Sequence, residues 1–136
     1  MIFIDTAYFV AVAVPADGLH QAAIEWSTAV SAPFLTTEFV LLEFVNLLSS
    51  KKLRARAHTA MSSIYADDEI QVVPATADWF QRGLKLHAAR PDKSWSLTNC
   101  ISFEVMREEN VTDAPIYDQD FEQAGFRALL RDAPPA

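Results

Sequence analysis

Short apolar runs alternate along this chain with longer stretches whose hydrophobic residues recur at helical spacing. Ile2-Phe-Ile-Asp5 reads as a buried strand that stops at a carboxylate. From Gly18 to Val30, Leu19, Ala22, Ala23, Trp26 and Val30 fall on one side of an amphipathic helix. A short strand at Phe34-Leu35-Thr36 follows Pro33, and a nearly all-apolar helix runs from about Glu38 to Ser50. A further helix is expected over 53–65, then a strand over Ile70–Val73 closed by Pro74. Helical spacing returns over 77–89 and again over 96–109, with 90–94 as the loop between them. Strands at 115–117 and near 126–129 complete the set. This order predicts an α/β fold: one domain with a mainly parallel central sheet of four to five strands, flanked by helices on both faces. The domain is expected over 1–131, with 132–136 as a short flexible tail.

Composition narrows the function classes. With 136 residues, 51% of them hydrophobic, the chain can bury one core. No apolar stretch approaches the ~20 residues of a membrane-spanning helix, and Asp5 interrupts the first apolar run, which predicts a cytoplasmic protein. A net charge of -7 argues against gripping nucleic acid by charge alone, but not against an enzyme whose metal ions meet phosphate. The single cysteine, Cys100, excludes an intramolecular disulfide and a thiolate metal cage, and its apolar neighbours make it a core residue. His20, His58 and His87 are scattered without metal-ligand spacing, and the glycines are too dispersed for a phosphate-cradling loop.

The carboxylates carry the chemistry. Asp5 and Asp118 each follow an apolar run, and ligands of an open parallel sheet bind beyond the carboxyl ends of its strands. Either acid alone also suits a turn or a helix cap. Glu43 is surrounded by Phe39, Val40, Leu41, Leu42, Phe44, Val45, Leu47 and Leu48, so its helix should be buried and its charge should need a cation or a buried Arg. Three converging carboxylates require a divalent cation to offset their repulsion, and oxygen-only ligation selects magnesium or manganese over zinc. Asn99, three residues after Ser96, fits either a helix-start cap or a ligand position filled by a neutral amide. Asp120 is either an auxiliary ligand or a cap for a short helix at 119–123.

Ile2-Phe-Ile-Asp5-Thr6, Thr36-Thr-Glu-Phe-Val-Leu-Leu-Glu43, Asp92-Lys-Ser-Trp-Ser-Leu-Thr-Asn99-Cys100 and Asp118-Gln-Asp-Phe-Glu-Gln-Ala-Gly-Phe126 together resemble PIN-domain ribonucleases, particularly VapC-like toxins. The resemblance spans nearly the whole chain. It implies a toxin endoribonuclease in which Asp5, Glu43 and Asp118 bind Mg2+, with Mn2+ as a substitute, and metal-activated water cleaves RNA. The family carries a further aspartate where this chain has Asn99, so the resemblance also implies attenuated activity. Thr6 and Ser96, with Asp120, become residues that orient the ligands.

Lys51, Lys52, Arg54 and Arg56, with Arg90 and Lys93 before Asn99, are the clustered cations expected to contact RNA. The resemblance further implies a small antitoxin partner and a homodimer, held through apolar helix surface that Trp26, Trp79 and Trp95 would supply. Two rival readings stand beside the nuclease. One is a catalytically impaired PIN-fold domain that binds RNA or antitoxin. The other is an aspartyl-phosphate phosphatase or receiver-like domain, disfavoured because Asp5-Thr6-Ala7 lacks the second acid such phosphatases carry.

Overall fold

A computed structural model describes residues 1–31 and 33–131 of the chain, so the expected tail at 132–136 lies outside the described residues. Strand β1 (Ile2–Phe3) pairs in parallel with β2 (Phe34–Thr37), which pairs in parallel with β3 (Ile70–Val73). A separate parallel pair joins β4 (Asp113–Ala114) to β5 (Arg127–Ala128), and β4 packs beside β1. The strands therefore run β3-β2-β1-β4-β5 in space, divided into a three-stranded and a two-stranded ladder. Leu35 and Thr36 point to opposite faces of β2, yet each is 0% exposed, so helices cover both faces.

The helices are α1 (Thr6–Ala13), α2 (His20–Ala29), α3 (Glu38–Leu47), α4 (Arg54–Ala66), α5 (Ala77–Ala89), α6 (Leu97–Glu108) and the short α7 (Gln119–Gln123), and a 3-10 turn follows at Leu129–Arg131. Short polar side chains start several of them. Thr37 Oγ1 accepts from the Val40 amide, Thr76 Oγ1 from Trp79 and Ser96 Oγ from Asn99. The core is heavily aromatic. Trp95, Phe103, Phe121 and Phe126 pack edge-on or tilted against one another, which joins α6 to α7 and the strand after it.

Several expectations need correction. Helix α1 was not expected, because Thr6–Ala13 is apolar on every side and shows no 3.6-residue stripe. The strand expected at 115–117 lies at Asp113–Ala114 instead, since the Ile116 amide turns back to the Ala114 carbonyl and ends the ladder. The strand expected at 126–129 shortens to Arg127–Ala128 before the 3-10 turn. Helix α3 is not buried all round: Leu42 and Leu47 are each 61% exposed, and Glu43 is half-buried. Trp26 and Trp95 are core residues and Trp79 stacks under Arg82, so the tryptophans do not form an exposed face.

Candidate active site

In the order β3-β2-β1-β4-β5, the chain first winds outward from β1 to β3 and then returns to β4 on the other side. Loops after β1 and β4 diverge at that switch point and leave a crevice beyond the strand ends. Asp5 follows β1 there, and Asp118 follows β4. Glu43 reaches the same place from α3 and Asn99 from the first turn of α6. Together they line one cleft of about 430 Å³, with Thr6, Ser96, Asp17 and the apolar side chains of Val10, Leu19 and Leu47 on its walls.

Asp5 is the least ordinary of these residues. It occupies the N-cap position of α1 but makes no capping bond, and its Oδ1 is buried without a hydrogen-bond partner. Burial pushes its carboxyl up to about 7, and the charges of Glu43, Asp118 and Asp120 push the same way, against the Thr6 amide. Asp118, by contrast, is exposed and caps α7, with Oδ1 accepting from the Asp120 amide at 2.6 Å. Burial raises the Asp120 carboxyl too, with help from neighbouring Asp118.

Position 99 does two things at once. Its backbone amide is capped by Ser96, while its side-chain Nδ2 donates to Asp120 Oδ2 at 3.2 Å. The cap and the cleft position are therefore compatible. Ser96 holds the helix start rather than an acid, and Thr6 Oγ1 reaches the Val40 carbonyl at 3.5 Å, which ties α1 to α3. Asp120 is the residue of the three whose carboxylate meets a side chain of the expected ligand set, at Asn99 Nδ2.

The donor set suits a hard cation: three carboxylates, one of them with a buried oxygen that has no partner, and an amide oxygen. As they stand, no three His, Cys, Asp or Glu side chains among the described residues are close enough to hold an ion.

The cations separate into two groups. Lys51, Lys52, Arg54 and Arg56 are exposed beyond α3 and line neither the acid cleft nor its neighbour, and Arg54 donates to the Ser49 carbonyl. Arg90 makes two hydrogen bonds to Asp92 and stacks over Trp95. Lys93 alone lines a polar cleft that shares Asp118 with the acid site. Sequence reasoning missed the apolar wall of Leu19 and Leu47, whose helical positions read only as core.

Comparison with known proteins follows the same geometry. The PIN domain profile matches residues 2–127. The 23S rRNA-specific endonuclease VapC20 of Mycobacterium tuberculosis, in two strains, is 29% identical over 126 residues, covering 93% of this chain and 95% of the relative. A crystal structure of Mycobacterium tuberculosis VapC20, described as a sarcin-ricin loop cleaving toxin, superposes with a TM-score of 0.84 at 26% identity, over 93% of this chain and 96% of that one.

Proposed function

The chain belongs to the PIN-domain family, and on that premise we propose that it is a metal-dependent endoribonuclease, the toxin of a toxin–antitoxin pair acting in the cytoplasm. The observation that carries this reading is the buried, partnerless Oδ1 of Asp5 in a cleft shared with Glu43, Asn99 and Asp118. Those four residues would hold Mg2+ or Mn2+, Asn99 through its amide oxygen because its nitrogen is engaged by Asp120. Bound there, the ion supplies a lowered pKa for water and offsets the charge that develops on the attacked phosphodiester. Water oxygen adds to phosphorus and gives up a proton, the bond from phosphorus to one ribose oxygen breaks, and that oxygen leaves with the proton the water released. Asp120, tied to both Asn99 and Asp118, orients the ligands from behind.

The similarity to VapC20 makes ribosomal RNA the first substrate to test, and a small antitoxin and a second copy the partners. The domain is taken as 1–131 with the tail excluded. A second reading, an impaired domain that binds RNA or antitoxin without cutting, is favoured by the neutral amide at position 99. Titration of Mg2+ and Mn2+ against cleavage of 23S rRNA separates the two. Metal-dependent cleavage that Asp5→Asn abolishes supports the nuclease. Binding without cleavage, restored to cleavage by Asn99→Asp, supports the impaired domain.

A further inference from the structure

A second cleft of about 360 Å³ opens beside the acid site and shares Asp118 with it, within the ~300–1,000 Å³ range of small-molecule sites. One wall is the loop from Asp92 to Ser94, and the other is α7, which contributes Gln119, Asp120 and Gln123. The two walls are fastened together. Arg90 pairs with Asp92 through two hydrogen bonds of 3.0 and 2.9 Å and lies over the Trp95 ring, and the Trp95 indole donates to Gln123 Oε1 at 3.2 Å. These contacts link the two walls of the cleft.

The Trp95 bond also fixes the sense of the Gln123 amide. An indole N–H can only donate, so the glutamine oxygen faces it and the two N–H donors of Nε2 are left for the cleft. Asp120 accepts from Asn99 through Oδ2 and meets the Asp118 side chain, so the two carboxyls together are the acceptors on this wall. Lys93 holds its ammonium at the rim, 3.9 Å from Asp92. The cleft thus offers fixed donors, a carboxylate acceptor and one cation next to the residues that would cleave phosphodiesters.

We propose that this cleft is a nucleobase subsite that reads the nucleotide adjacent to the cleaved phosphate and prefers guanine. It deepens the ribonuclease reading and rests on it. Guanine presents O6 as an acceptor beside N1–H and N2–H donors on one edge, which matches the Gln123 amide beside the Asp120 carboxylate. Unstacked RNA bases are recognised on that edge. Uracil presents O4 and N3–H in the same order but carries the O2 acceptor where guanine has its amino group, so it makes one bond to the carboxylate where guanine makes two. Lys93 takes the phosphate that follows, because the acids around it disfavour phosphate anywhere deeper.

The test titrates GMP, AMP, CMP and UMP into the metal-free full chain and follows the Trp95 indole and Gln123 amide signals by NMR. GMP should bind about fivefold or more tighter than UMP and shift both signals. Gln123→Ala should erase the preference. Gln123→Glu keeps an acceptor for Trp95 but removes the amide donors, so it should lose GMP affinity while the Trp95 signal stays in place. Equal affinities for the four nucleotides, shifts confined to other residues, or a preference that survives both variants overturns the subsite. Cleavage of RNA without base discrimination removes this inference alone. GMP binding here by a chain that cuts no RNA removes the nuclease reading instead.

Discussion

Asn99 Nδ2 donates to Asp120 Oδ2 across 3.2 Å, so the neutral residue of the acid cleft is engaged with an acid on a different element. The bond ties α6 to α7 and sets the consequence of changing either partner. Asn99→Asp would place two carboxylates where an amide and a carboxylate now meet. The metal-free variant should be less stable by about 1 kcal/mol, the net value of one such hydrogen bond. Its Mg2+ affinity and RNA cleavage rate should rise roughly tenfold or more, the scale on which groups around a metal change its binding. Calorimetric Mg2+ titration and cleavage kinetics check this, and equal values for both forms would put position 99 outside the metal site.

Asp5 makes the metal-free protein pH-sensitive. Its folded carboxyl titrates at about 7 against an ordinary value of 3.8, so the native state holds a proton that the unfolded chain releases. Stability from this group is complete below about pH 4 and is lost as pH rises through about 7. Asp5→Asn should therefore match the wild type at low pH and exceed it in melting temperature at pH 8. Thermal melts of both forms across this range, in chelator, give the difference curve, and a flat difference refutes the assignment. Metal binding at pH 6 should also release close to one proton, read by calorimetry in two buffers.

Gly83 is where α5 meets α6. A Cβ built there would clash with Ile101 Cγ1 and lie 3.1 Å from its Cα, and the backbone contact cannot swing away. Gly83→Ala should destabilise by about 1–3 kcal/mol in spite of better helix propensity. Pairing it with Ile101→Ala should cost less than the sum of the two changes, because the methyl then fills space the isoleucine leaves. Chemical denaturation of the four proteins measures the coupling, and strict additivity would show that the helices part freely.

Leu42 and Leu47 expose apolar surface on α3, and Leu47 also walls the acid cleft. If partners cover this face, Leu42→Lys with Leu47→Lys should weaken self-association and antitoxin binding by about tenfold or more while the melting temperature holds or rises. Light scattering over a concentration series and antitoxin titration give the answer. Unchanged association would assign the partners to another surface.

Among the cations, Lys93 should matter most to RNA. Lys93→Ala is expected to raise KM for RNA and lower the salt slope of binding by about one. Alanine at Lys51, Lys52, Arg54 and Arg56 should have a smaller effect on cleavage, because none of these side chains lines either cleft. Filter binding at several salt concentrations distinguishes the groups, and a reversed order would move the RNA track across α4.

The order of strands and helices was legible in the chain itself, because buried strands and amphipathic helices leave periods of different length. Helix limits for α5 were read to the residue, and the caps at Ser96 and Asp118 were visible as residue types. The identity of the acids was legible too, since Asp5 and Asp118 end apolar runs and Glu43 breaks one. Helix α1 escaped because a short element buried on most of its surface has no polar stripe to betray its period.

Tertiary structure alone decided three things. It set which face of α3 stays exposed, because Leu42 and Leu47 fall where, among the described residues, no neighbouring element covers them, a fact of docking that composition does not contain. Asp5 and Asp118 received different roles, one buried with an oxygen that has no partner and the other capping a helix in solvent, although their local sequences look alike. Asn99 met Asp120 across 21 positions of chain. Local sequence dictates dihedral preference and apolar period, which act over a few residues, whereas charge environment and hydrogen-bond partnership depend on groups brought together only when the sheet is wound.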